Sequence, residues 1–435
     1  MTWKLAGAAL LGMLPASFGV CIAQETKTLR SELGAMAVGV LTHASPAVSG
    51  RALTEGYLTQ PMLMGAVGLG GLRFTGTLNA EGYTLKRGEL NAGMYGEGYV
   101  DRRHPHTLVH EAMVSATTPV LGGGWRASLA AGRGFTPYGT DDPMVRPFVK
   151  YPVNHHHAQI IERVQALGAL QWSRGMRQVT LEHGWFNGDE PTSPFNAPQW
   201  SRFGDSRATR LTVVPHDGWE WQGSHAFVRS PGITQGGTFD HRQWSTSLRH
   251  ARTPGGTTTG PQWLGGLAEY ARTDEGLGRQ SVFRFESVLA EGTVGWHGWL
   301  WSTRIERTER PENERLLDLF RTNAGHIDFQ IIGVTRWSVL STRIAAPTVT
   351  LAKSMWQPFV EIGRAHAAAR REPAVFQPSV FYGNATQWSV TLGTRWHVGS
   401  MRSRMGRYGV LDAAHGLGAS AAHGHHQTKS TPELQ

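Results

Sequence analysis

The stretch Thr386-Gln-Trp-Ser-Val-Thr-Leu-Gly-Thr-Arg-Trp-His-Val398 decides how this chain is read. Successive side chains of an extended strand point in opposite directions. Trp388, Val390, Leu392, Thr394, Trp396 and Val398 therefore fall on one face, and Gln387, Ser389, Thr391, Gly393, Arg395 and His397 on the other. One face is apolar and rich in indole, and the other is polar and cationic. The same period of two recurs upstream. Phe283, Phe285 and Leu289 alternate with Arg284 and Glu286. Trp299, Trp301 and Ile305 alternate with Ser302, Arg304 and Glu306. Ile327, Phe329, Ile331 and Trp337 alternate with Asp328, Gln330 and Arg336. Val179, Leu181 and Trp185 alternate with Thr180 and Glu182.

Two architectures produce such ribbons. In a soluble β-sandwich the apolar face meets a second sheet. In a transmembrane barrel it meets lipid, and the polar face lines the interior. Three features favour the barrel. Trp gathers near strand ends, where indole suits the headgroup level. Charges of both signs sit mid-strand. Short Gly-rich turns such as Gly68–Gly71 alternate with long segments such as Arg133–His156. The expectation is all-β, a single transmembrane antiparallel barrel of about 16 strands with long extracellular loops, fourteen strands being the alternative. It assigns 57–399 to the barrel, 24–56 to an N-terminal segment with a possible first strand near 34–42, and 400–435 to a His-rich tail. Lipid contacts are expected at Trp299, Trp301, Phe283, Phe285, Trp388, Val390, Leu392 and Trp396. Lumen-lining positions are expected at Arg284, Glu286, Arg304, Glu306, Asp328, Gln330, Arg336 and Arg395.

Composition agrees. Only 17% of the 435 residues are charged while 54 are Gly and 16 Trp, which suits a Gly-punctuated β chain better than a disordered one. Past residue 23 no apolar run is long enough for a membrane helix. Cys21 is the only cysteine, so a disulfide framework within the chain is excluded. Residues 1–23 carry a short basic start, an apolar stretch and a small-x-Ala end at Ala23, the pattern of a cleaved export signal. Only six of the 42 cationic residues are Lys, and the Arg residues are dispersed. Together with export, that argues against nucleic acid. The expected partners are instead outer-membrane lipid, the barrel assembly machinery, and small solutes or ions.

Val100-Asp101-Arg102-Arg103-His104-Pro105-His106, leading into Leu108–Val114, resembles the D-R-x-H-P-H core of a family of uncharacterised bacterial outer-membrane barrels. Asn154-His155-His156-His157 resembles that family's paired-histidine segment, and Phe186-Asn187-Gly188-Asp189-Glu190-Pro191 its F-N-G-R-E-P turn. Phe203–Leu211 and Arg304–Arg307 resemble further pieces in the same order, so the likeness spans roughly 90–400. Arg407-Tyr408-Gly409-Val410-Leu411 is a recurring-looking piece with no role readable from sequence. The chain departs from the pattern at Thr107, where Asp is usual, and at Asp189, where a basic residue is usual. The resemblance implies an outer-membrane barrel, and its association with metal-handling genes implies a link to metal ions.

Histidine is the conspicuous ligand type, with 20 residues. His104, His106 and His110 lie close together, His155, His156 and His157 form a triplet, and Asp101 and Glu111 stand nearby. Imidazole and carboxylate groups so arranged suit copper or zinc. Equally, His-Pro-His pins a loop to a wall by hydrogen bonds. His415, His423, His425 and His426 form a second tract, a compositional metal candidate or a disordered tail.

No catalytic motif stands out. Ser389 and His397 share a strand face but lie about 26 Å apart at roughly 3.3 Å per residue, too far to pair. A channel of unknown cargo with an Arg-rich lumen is expected rather than an enzyme. A metal-binding envelope protein without transport and a secreted β-sandwich binding protein are the alternatives. The tail poses its own question: the barrel is recognised through an internal strand ending at Trp396 and Val398, or the tail lies inside the barrel.

Overall fold

The computed structural model describes residues 29–46, 50–84, 106–140, 143–150, 152, 159–191, 194–197, 200–231, 238–253, 261–278, 280–313, 331–370, 374–402 and 404–412. The expected export signal, His104, His155–His157, Asp328, Gln330 and the His tract beyond 412 lie outside these residues.

Strands succeed one another along the chain as β1 (Leu29–Ser45), β2 (Leu53–Leu69), β3 (Leu72–Asn79), β4 (Val109–Thr117), β5 (Trp125–Gly134) and β6 (Arg163–Arg174). They continue as β7 (Arg177–Phe186), β8 (Ser206–Val214), β9 (Trp219–Val228), β10 (Asp240–Arg252), β11 (Trp263–Leu277) and β12 (Gln280–Trp296). The last are β13 (Trp299–Asn313), β14 (Ile331–Ala345), the three-residue β15 (Val349–Leu351), β16 (Ser354–Ala369) and β17 (Thr386–Gly399). Each pairs antiparallel with its chain neighbour, except that β14 pairs with β16 and β15 merely extends that hairpin. β1 also pairs with β17, from Gly34 opposite Gly399 to Ser45 opposite Trp388. That register closes the sheet on itself, so the wall has sixteen staves and no free edge. Closure is what a membrane demands, since lipid offers no partner to an unpaired backbone group.

The first stave, β1, pairs with both β2 and β17, so the wall begins well upstream of residue 57. Short turns cluster at one end, at residues 70–71, 175–176 and 297–298. The longer connections leave the wall at the other end, after Asn79, Gly134 and Phe186. Leu41, Leu129, Leu181, Ile305, Ile344 and Leu392 face outward and are exposed, forming the apolar band of a barrel that meets lipid. Trp296, Trp299 and Trp301 flank that band at the short-turn end, and Trp185 and Trp388 at the other.

The outward side matches expectation on two staves and reverses it on two others. Trp299, Trp301, Trp388, Val390 and Leu392 are exposed on the outside. Trp396 shares their side of β17 and packs on Trp356, ring centres 6.3 Å apart. On β12, however, Phe285 is fully buried and stacks on Phe283 on the inward side. Arg284 instead points out and binds Asp274 at 2.7 Å, and Glu286 lies opposite the outward Arg272. On β14, Trp337 is fully buried inside, while Arg336 points out to Glu309 at 3.0 Å. The expectation that Phe283 and Phe285 meet lipid while Arg284, Glu286 and Arg336 line a lumen is therefore corrected. The physical reason is that the interior holds packed protein, which accepts Phe and Trp, while the outward Arg residues find acidic partners near the long-loop end.

Candidate functional site

The chemistry of this molecule lies inside the barrel. Inward-facing wall residues are mostly polar or charged and nearly all buried, among them Glu182, Arg210, Glu269, Arg304, Glu306, Arg343 and Glu361. A barrel of this girth is wide enough for an aqueous lumen. Two segments of the chain itself fill it.

The first runs inward from the end of β5, through Phe135–Thr140 and Pro143–Lys150. It reaches one wall stave after another. The Gly139 amide donates to Ser224 Oγ (3.0 Å). Thr140 Oγ1 and Arg146 Nη2 both donate to Glu269, at 2.7 and 2.8 Å. The Val149 amide donates to Glu361 Oε2 (3.1 Å), and the Lys150 ammonium donates to Ser389 Oγ. Arg304 lies over the Phe148 ring (4.7 Å). Met144, Val149 and Phe135 join Met36, Val38, Val40, Met62, Met64 and Met405 in an apolar core within the barrel.

The second segment is residues 400–402 and 404–412, which follow β17 and turn back inside. The Ser400 amide donates to Leu33 O at the barrel rim (2.9 Å). Glu111 on β4 then accepts from Arg402 Nη1 (2.8 Å), Tyr408 Oη (2.8 Å) and the Gly406 amide (3.3 Å). Five staves further round, Arg404 pairs through both guanidinium nitrogens with Glu220 on β9, at 2.6 and 2.8 Å. Arg407 Nη2 donates to Thr140 O (2.6 Å), joining the two inserted segments. Asp412 accepts from Arg73 Nε on β3 at 3.1 Å. Tight passage requires glycine at two points. Gly409, at φ +62, would bring a Cβ to 2.5 Å from Ser128 Cβ, and Gly406, at φ +69, to 2.6 Å from Phe135 Cβ. The Arg407–Leu411 piece without a readable role in sequence is thus the part that packs on the wall.

Expected lumen residues fit this arrangement in part. Arg304 lies between Glu291 (3.5 Å) and Glu306 (3.6 Å) on the inner face. Arg395 points inward and donates to Arg146 O (3.3 Å). The wall residues that hold the inserted segments, Glu220, Glu269 and Glu361, carry no sequence motif. Each is simply one more polar residue in an alternating strand.

At the long-loop end a third cluster brings together His106, His110 and Glu162, all buried. His110 Nδ1 lies 2.7 Å and His106 Nδ1 3.5 Å from Glu162 Oε1. The Thr107 amide also donates to that oxygen, at 2.6 Å. Burial alone would raise the Glu162 carboxyl, but hydrogen bonds and charge from both histidines hold it well below the usual carboxylate range. Burial likewise works against a charged His106, yet Glu162 pulls its pKa above the ordinary value. Two of the expected histidines thus meet, and sequence reasoning missed Glu162 because it is remote in sequence, just ahead of β6.

The fold and interior together define a sixteen-stranded transmembrane-type barrel with an occupied interior. No family model matches the sequence, and no curated protein matches it. Among solved structures, the chain is similar to an anion-selective porin from Comamonas acidovorans at 9% identity and TM-score 0.46. The match covers 85% of this chain and 100% of that one. It is also similar to OmpT, an outer membrane protein of Vibrio cholerae, at 8% identity and TM-score 0.47, covering 85% and 99%. OccK2 (OpdF) of Pseudomonas aeruginosa, solved with glucuronate, matches at 10% identity and TM-score 0.37, covering 85% and 98%.

Proposed function

We propose that this chain is an outer-membrane barrel that works as a gated channel for small polar solutes or ions, its interior narrowed by residues 135–140 and 143–150 and gated by residues 400–402 and 404–412. The observation that carries the reading is the return of that segment into the barrel, where Glu111 on β4 and Glu220 on β9 hold it from two separate staves. Buried ion pairs gain little net stability over apolar packing, but they hold a partner in one register. The segment is held by these directional charge contacts together with apolar packing of Met405 and Tyr408, so release breaks both. Behind it the wall offers a polar face already supplied with Arg and Glu, suited to hydrated cargo.

The exterior supports the membrane setting. Beyond the apolar band at the long-loop end, Arg207, Arg272, Arg284, Arg336 and Arg364 project outward. Arg207, Arg272 and Arg364 lie over Phe227, Trp244 and Trp388, which combines aromatic anchoring with cationic side chains at the level of phosphate-bearing headgroups.

Planar-bilayer recording tests the reading by comparing the full chain with one ending at Ser400. Both must first pass a control for folding, a gel-mobility shift on heating. The full chain is expected to conduct rarely and the shortened chain to hold a steady, larger conductance. Equal, wide-open conductance in both would refute the gate, and silence in both would leave a binding or structural role.

A further inference from the structure

We propose that His106, His110 and Glu162 form a binding site for one divalent transition-metal ion, zinc or copper, at the long-loop end of the barrel. The three residues can each present one ligand atom within a group whose members all lie within 4.8 Å of one another. In tetrahedral coordination with metal–ligand bonds of about 2.0–2.1 Å, neighbouring ligand atoms sit about 3.3 Å apart. The observed separations from Glu162 Oε1, 2.7 Å to His110 Nδ1 and 3.5 Å to His106 Nδ1, bracket that value. The third separation, between the two imidazoles, is no more than 4.8 Å, so ring rotations that close it would seat an ion.

The donor set also fits. Two imidazoles and one carboxylate are borderline ligands that suit zinc and copper far better than calcium or magnesium, which prefer all-oxygen sites. Three protein ligands leave a fourth position for water or for a solute. Glu162 is held ready for this role in two ways. The Thr107 amide donates to its carboxylate at 2.6 Å, the outer contact that orients a metal ligand. Its own backbone sits at φ +60, a conformation that costs a non-glycine residue energy and that persists where surroundings enforce it. Phe135 packs edge-on against the His110 ring, with centroids 5.1 Å apart.

The site's position gives it a consequence. His106 and His110 belong to β4 and the residues before it, Glu162 stands at the foot of β6, and both staves flank β5. Phe135 begins the inward segment. A bound ion would tie two staves across a third and fix the root of that segment. This inference does not depend on the gating function, because metal binding is read without any conductance.

The test uses the refolded full chain, stripped with chelator and titrated calorimetrically with zinc alone and then copper alone, with bound metal counted by elemental analysis. Glu162→Gln and His106→Ala are compared with wild type. A third variant replaces His155, His156 and His157 by Ala. At the tightest site one equivalent of metal is expected in wild type and in the triple variant, with any weaker uptake by His415, His423, His425 and His426 unchanged in every variant. Affinity should fall at least about tenfold in Glu162→Gln and in His106→Ala. Metal should also raise the melting temperature of wild type but not of those two. If Glu162→Gln fails to fold, His106→Ala decides. Equal binding in wild type and His106→Ala, or no stoichiometric binding in wild type, overturns the site and leaves a hydrogen-bonded histidine–carboxylate cluster.

Discussion

Replacing Glu111 with Gln is the sharpest perturbation of the inserted C-terminal segment. The carboxylate is fully enclosed and accepts four hydrogen bonds: from Thr77 Oγ1 (2.6 Å) on the wall, and from Arg402, Tyr408 and the Gly406 amide on the segment. Glutamine keeps the shape. One of its two acceptors, however, becomes an NH2 donor that must face other donors, and Arg402 loses its buried counter-charge. Removing one member of a buried pair costs about 3–5 kcal/mol. The neutral isostere retains part of the network, so the lower end, about 3 kcal/mol, applies. At 1.36 kcal/mol per decade this shifts the balance between inserted and released segment by about a hundredfold. The assay is limited trypsin digestion of the refolded protein, scored for cleavage after Arg402, Arg404 and Arg407. When opening is fast relative to cleavage, its rate follows the population of the released form. A cleavage rate within about twofold of wild type would refute the claim that Glu111 holds the segment in place.

Trp337→Ala removes a ring packed edge-on against Tyr382, with centroids 5.9 Å apart, and lying under Arg310. The expected loss is about 3–5 kcal/mol, read from urea unfolding in detergent. Leu392→Arg puts a charge on the exposed outer face; folding into vesicles should weaken by about 2–4 kcal/mol if the site is near the midplane, whereas detergent-solubilised protein should tolerate it. The Glu162 carboxyl lies below its ordinary value of 4.5, so its contribution is full above that pH and is lost as pH falls through the range beneath it. His106 lies above its ordinary value of 6.5, so its contribution is full below that pH and fades as pH rises through the raised value. The melting temperature of the metal-free protein should therefore decline on both sides of this window. Glu162→Gln should flatten both declines, and an unchanged profile would refute the assignment.

Much of the wall was legible because alternation is a geometric property of strands. The register that leaves Trp388, Val390 and Leu392 exposed follows directly from their spacing. Side assignment failed at Phe285 and Trp337 because apolarity marks burial against anything, lipid or protein. An occupied interior offers both. Arg284 and Arg336 misled for the complementary reason: an outward cation is tolerated where Asp274 and Glu309 stand beside it near the long-loop end. A tail inside the barrel was one of the two alternatives open from sequence, but the contacts that hold the inserted segments were the least legible part. Arg402, Arg404 and Tyr408 form no periodic pattern, and their partners Glu111 and Glu220 lie 291 and 184 residues away in sequence. Of the His106–His110–Glu162 cluster, the histidines stood out by spacing, but Glu162 joins them only through the β4–β5–β6 register.

Thiol accessibility tests the occupied interior most directly. Val410→Cys, at a position with no exposed surface, is compared with Val390→Cys on the outer face and with Val375→Cys in an exposed loop. A bulky, water-soluble maleimide is applied to protein reconstituted in vesicles. The account has Val375→Cys labelled quickly and Val410→Cys protected until Glu111 is also replaced or the protein is unfolded. Rapid labelling of Val410→Cys in otherwise native protein would mean that water fills the place assigned to residues 400–412.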